Sequence, residues 1–123
     1  MPDSDTTVAQ LKKIMDDFVA ARDWHQFHDA KNLSASIAIE AAELMEHFQW
    51  LHSDDVAAVA DNAKQMAEIR EEVADICAYL LSFATTMNID LSDALAAKLQ
   101  KNDTKYPVDR YYGRFKPADQ PPK

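Results

Sequence analysis

LSASIAIEAAELMEHFQWLH (residues 33–52) and AKQMAEIREEVADICAYLLSFATTM (residues 63–87) decide the fold. At about 100° per residue, Leu33, Ile37, Ala41, Leu44, Phe48 and Leu51 form an apolar stripe on the first stretch, bordered by a lane of Ser36, Glu40, Glu43, His47 and Trp50. On the second, Met66, Ile69, Val73, Ile76, Leu80, Ala84 and Met87 are the stripe, and Glu68, Glu72, Asp75 and Tyr79 the lane. Both lanes lie on the same rotational side of their stripes. If the helices pack antiparallel with stripes facing, both lanes therefore emerge on one side. The short connection over about residues 52–62 favours that arrangement. Glu40, Glu43, Glu72 and Asp75 are then expected to converge.

Clustered carboxylates repel unless a positive charge sits among them. Two readings stand at this point: a metal site, or a solvated face laced by ion pairs at four-residue spacing. Residues 33–52 contain no Lys or Arg while carrying Glu40, Glu43 and Glu46, which weakens the second. Oxygen-only donors suit Mg²⁺ or Mn²⁺ rather than zinc.

The 123-residue chain is long enough for one hydrophobic core. No apolar run approaches the roughly 20 residues that span a bilayer, and MPDSDTT lacks the features of a signal peptide. A soluble, cytoplasmic protein is expected. A net charge of −8 disfavours nucleic acid as a partner. The charge is unevenly placed: between Glu40 and Asp75 the only bases are Lys64 and Arg70, whereas over residues 98–116 bases outnumber acids six to two. Gly113 is the only glycine, which excludes phosphate loops, dinucleotide fingerprints and nucleophile elbows. With prolines confined to the ends and no alternating pattern, the expected class is all-α. Cys77, on the apolar side of its helix, is expected to be a small core residue.

A first amphipathic helix is expected over about residues 6–22, capped by Asp5 or Thr6, with Val8, Leu11, Met15, Phe18 and Val19 apolar. DWHQFHDAKN (residues 23–32) is aromatic for a connection. It can wall a pocket for a flat ring or simply cover the end of the bundle; His25 and His28 alone make a weak zinc signal. Asn32 or Ser34 can cap the second helix. Asn88 is a plausible stop, and Asp90 an N-cap for a fourth helix over about residues 91–102. Lys98, Asn102 and Lys105 share one face there, able to clamp phosphate oxygens or to complement the helix dipole. The helix stops at Tyr106-Pro107. Residues 1–107 are thus one domain, and 108–123 an arm or disordered tail.

EAAELMEHFQW (residues 40–50), EEVADI (71–76) and KLQKNDTKYP (98–107), preceded by RDWHQFH (22–28), resemble the MazG-like all-α nucleoside triphosphate pyrophosphohydrolases, most nearly the small dCTP pyrophosphatase branch. The likeness covers about residues 8–107. It implies an antiparallel four-helix bundle assembling as a homodimer or homotetramer, with Mg²⁺ (or Mn²⁺) held by Glu40, Glu43, Glu72 and Asp75. It further implies phosphate contacts from Lys98, Asn102, Lys105, Tyr106 and Tyr79, and a base pocket including Trp24, His28 and Trp50. Met15 stands where some dCTP-selective relatives carry a histidine, so selectivity for cytosine does not follow from the likeness. The implied reaction is attack of water at the α-phosphorus of a (deoxy)nucleoside triphosphate, such as dCTP, giving the monophosphate and pyrophosphate. Its expected role is pool house-cleaning. Two rivals differ in class. A di-iron bundle needs Glu-x-x-His pairs that these lanes lack. A non-catalytic helical oligomer would bind a basic partner through the acidic lanes.

Overall fold

The computed structural model describes residues 1–117, among which there are five α-helices, three 3-10 segments and no strand. The chain divides into two compact units, Met1–Ile89 and Asp90–Lys123. The expected domain over residues 1–107 spans parts of both. No helix among the described residues is long and apolar enough to cross a membrane.

The first unit holds α1 (Val8–Ala21), α2 (Ala30–Glu46) and α3 (Ala63–Thr86). Each start is fixed by a side-chain oxygen that satisfies an otherwise orphaned amide. Thr7 and Gln10 form a reciprocal capping box on α1; Asp29 accepts from the Asn32 amide on α2 and Asn62 from the Gln65 amide on α3. The caps therefore fall at Thr7 and Asp29, near but not on the residues expected. The ends of α1 and α3 share one device. Asp23 and Asn88 adopt left-handed φ values of 53°, and the next amides, of Trp24 and Ile89, return to the carbonyls of Val19 and Ala84. This closing motif usually takes glycine; with Gly113 as the sole glycine, short polar side chains that tolerate the left-handed region serve instead.

The end of α2 departs from expectation. The helix stops at Glu46, not near His52, and the chain tightens into turns in which the His47 and Phe48 amides reach the Leu44 and Met45 carbonyls. No glycine or proline marks the site. A 3-10 helix, Ser53–Asp61, follows and lies against α3.

α2 and α3 share the most extensive helix contact and run antiparallel. Gln65 Nε2 donates to the His47 carbonyl at one end, and Thr86 Oγ1 to the His28 carbonyl at the other. α1 packs on α3, and Lys12 Nζ donates to the Ile89 carbonyl. Val19, Leu33, Val59, Ile69, Leu81 and Ala84 are buried, Leu33 and Ala84 almost completely. Burying a leucine-sized side chain contributes roughly 1.5–3 kcal/mol, so Leu33 is a principal anchor. The expected stripe of α3 is only half covered: Val73, Leu80 and Met87, seven residues apart, are exposed. Cys77 is exposed as well, not a core residue, because it lies toward that uncovered edge.

In the second unit, Asp90 caps α4 (Leu91–Lys105) by accepting from the Asp93 amide. Pro107 ends that helix at Tyr106. A single turn, α5 (Val108–Tyr111), follows, and the Tyr106 and Tyr111 rings meet edge to face at 5.1 Å. The expected arm or disordered tail over residues 108–123 begins with this helical turn; residues 118–123 lie outside the described residues.

Candidate functional site

The facing lanes of α2 and α3 bring one carboxylate oxygen each of Glu40, Glu43 and Glu72 within 4.8 Å of one another. Glu40 and Glu72 are half-buried and Glu43 is exposed. Asp75, one turn beyond Glu72, lies outside that trio, although its charge acts on both Glu40 and Glu72. Three of the four expected residues therefore converge, and the fourth stands at the margin. Glu68, also in the lane, is exposed.

The electrostatics of the trio are those of a site that wants a cation. Loss of water pushes the Glu40 carboxyl up to about 7. Hydrogen bonding with Glu43 and Glu72, then the charges of Glu43 and Asp75, act the same way. Glu72 is raised too, first by desolvation and then by its bonding with Glu43. The upward shifts arise because a proton held on one carboxyl can be shared with its neighbours, whereas ionised groups can only repel. Oε2 of Glu40 and of Glu72 are buried without a hydrogen-bond partner among the described residues. Within the first unit, no lysine or arginine among the described residues pairs with any of these carboxylates. Orphaned buried acceptors require a partner, and an all-oxygen donor set fits a hard divalent ion. His47 lies outside the trio, so the Glu/His ligation of a di-iron bundle is not assembled.

Toward the C-terminal end of α3 lies a cavity of about 260 Å³ lined by Asp16, Val19, His25, His28, Ser82, Thr85 and Thr86. His28 is half-buried, and its Nδ1 is buried with no hydrogen-bond partner among the described residues. His25 Nε2 faces Asp16 Oδ1 at 3.3 Å. Trp24 is half-exposed and meets Phe18 edge to face, with the Arg22 guanidinium 3.7 Å from the Phe18 ring. Tyr79 is half-buried. Trp50 falls in the turns after α2, 87% exposed, so it does not continue the helical lane.

In the second unit, Lys98, Asn102 and Lys105 lie on α4, with Asn102 half-buried and both lysines exposed. The Lys105 ammonium lies 5.2 Å from the Tyr106 ring. Sequence reasoning did not single out Asp16, Ser82, Thr85 or Thr86. The available signal was spacing: Glu72, Asp75, Tyr79, Ser82 and Thr86, at steps of three and four, form one lane.

The fold and this acidic centre define an all-α protein of the MazG-like family, whose profile matches residues 35–116; the chain belongs to that family. It is similar to dCTP pyrophosphatase 1 of Bos taurus, 34% identical over 105 residues, which cover 85% of this chain and 62% of that protein. Against dCTP pyrophosphatase 1 of Homo sapiens it is 31% identical over 102 residues, 83% of this chain and 60% of that protein. The chain thus spans less than two thirds of the length of these relatives. A crystal structure of a pyrophosphatase from Archaeoglobus fulgidus superposes with a TM-score of 0.75 at 40% identity, covering 80% of this chain and 91% of that one.

Proposed function

We propose that this chain is a divalent-metal-dependent nucleoside triphosphate pyrophosphohydrolase, acting on deoxynucleotides of which dCTP is the first candidate. The observation that carries the reading is the trio Glu40, Glu43 and Glu72, with two buried oxygens that have no hydrogen-bond partner among the described residues. The names of the dCTP pyrophosphatase relatives support the substrate class.

Glu40, Glu43 and Glu72, with Asp75 at the edge, would hold Mg²⁺ or Mn²⁺. When bound, the ion neutralises charge on the triphosphate oxygens. Glu40 or Glu43 takes a proton from the water that attacks the α-phosphorus. The bond from that phosphorus to the bridging oxygen breaks, and pyrophosphate leaves with the electron pair. We assign to Tyr79 of the first unit and to Lys98, Asn102, Lys105 and Tyr106 of the second the phosphate contacts that the family resemblance implies, which would stabilise the leaving charge. Trp24 and His28 contact the base, Trp24 by stacking, which any base can accept; Trp50 stands at the opposite end of the α2–α3 pair.

Residues 1–107 form the catalytic domain in this reading, acting in the cytoplasm in nucleotide-pool house-cleaning. The exposed Val73, Leu80 and Met87 edge supports assembly into a homodimer or homotetramer. A panel of triphosphates, incubated with and without Mg²⁺, tests the function: pyrophosphate and monophosphate should appear only with the metal. Orthophosphate without pyrophosphate would refute the cleavage site. A chain inert toward the whole panel would favour a non-catalytic oligomer with an acidic docking face.

A further inference from the structure

The facing lanes of α2 and α3 run on past the carboxylates. The cavity lined by His28, Ser82 and Thr86 lies to one side of the trio. On the other side His47 follows Glu43 by four residues on α2, and Glu68 and Lys64 precede Glu72 by four and eight on α3. Gln65 Nε2 donates to the His47 carbonyl at 3.4 Å, so α2 ends and α3 begins at one level, which His47 and Lys64 share. His47 keeps helical backbone angles, φ −67° and ψ −19°. Helical side chains lean toward the N-terminus of their helix, so this half-buried imidazole leans back over the turn that carries Glu43. Charge changes sign here. Arg70 lies about 160° round α3 from both Glu68 and Glu72, which leaves Lys64 as the base of the α3 lane. Lys64 precedes Glu68, the weaker order for a helical ion pair. Among the described residues neither its ammonium nor the His47 ring enters an ion pair or a side-chain hydrogen bond. A nucleotide laid along this face, with its base at the Trp24 and His28 end and its α-phosphorus at the carboxylates, sends its outer phosphates toward His47.

We infer that His47, with Lys64 beside it, receives the terminal phosphate and makes the site prefer nucleoside triphosphates over diphosphates. The inference rests on the proposed hydrolase chemistry and adds what that reading leaves open: how the length of the phosphate chain is measured. An imidazole N–H donates to a γ-phosphate oxygen, and the ammonium supplies positive charge where the chain ends. Glu68, exposed at the same end, repels an anion, and Lys64 offsets it. A diphosphate stops one phosphate short and leaves both groups unused.

The test compares kcat/KM of the full chain for dCTP and dCDP with Mg²⁺, before and after His47→Ala, His47→Gln and Lys64→Ala, with the thermal melt of each variant recorded. A hydrogen bond to a charged acceptor predicts a roughly 10- to 100-fold fall for dCTP in His47→Ala, with dCDP changed by less than about threefold. His47→Gln keeps an N–H donor and should recover part of that loss, and Lys64→Ala should lower dCTP alone. A wild-type ratio near one, or a parallel fall for both substrates in His47→Ala, overturns the inference. Calorimetric binding of inorganic pyrophosphate and of dCMP, each with Mg²⁺, separates it from the hydrolase reading. His47→Ala should weaken pyrophosphate about tenfold and leave dCMP unchanged. If no triphosphate is cleaved, the hydrolase reading fails, yet pyrophosphate binding that His47→Ala weakens still supports a phosphate site at this end. Pyrophosphate bound equally by wild type and His47→Ala overturns it.

Discussion

Metal binding at the carboxylate trio should release protons, in an amount set by Glu40. With its carboxyl pushed up to about 7, Glu40 is mostly protonated at pH 6 and mostly ionised at pH 8 before the ion arrives. A divalent ion binds the ionised form, so the proton is lost to buffer. Glu72, shifted the same way, adds to the release. Mg²⁺ titrations by calorimetry at each pH, in two buffers of different ionisation enthalpy, measure it directly. The binding heat should depend on buffer at pH 6, only weakly at pH 8, and less at pH 6 in Glu40→Gln. Stability follows with a definite sign. A folded-state value above the ordinary 4.5 gives a contribution that is complete below that pH and lost as pH rises through about 7. The melting temperature without metal should therefore fall across that window, and saturating Mg²⁺ should flatten the fall. Buffer-independent heats at pH 6 would show that the three carboxyls do not share a desolvated site.

Other perturbations reach different levels of the structure. Glu72→Gln keeps the shape of the trio but removes a charge, and should lower kcat/KM at least about 100-fold while leaving the melt without metal unchanged or raised. Leu33→Ala empties the best-buried side-chain position and should cost about 2–5 kcal/mol in urea unfolding; a loss under 1 kcal/mol would mean that Leu33 is not an anchor. Leu80→Glu places a charge on the exposed edge of α3 and should shift the chain toward monomer in light scattering; an unchanged mass would place any self-association elsewhere.

Helix periodicity made the three helices of the first unit legible, and Asp90 marks the start of α4 that the structure uses. The end of α2 was not legible. Phe48, Gln49 and Trp50 continue a helical pattern, and neither glycine nor proline marks the turn. Cys77 was misplaced for a related reason: periodicity reports which face of α3 is apolar, not how much of that face one chain can cover. The carboxylates were legible because spacing and shared handedness are properties of single helices. The Asp16–His25 contact joins α1 to an irregular connection, and no local spacing encodes it.

α3 also acts as a ruler. Its 24 residues carry the acidic trio's Glu72 in the middle and the cavity's Ser82 and Thr86 near the end, at an interval set by helical pitch and not by loop length. Inserting one residue between them would swing the far mark by about 100° and lengthen the interval by only about 1.5 Å. Side-chain exchange at either mark therefore leaves the interval intact, whereas even a one-residue insertion between them breaks their alignment.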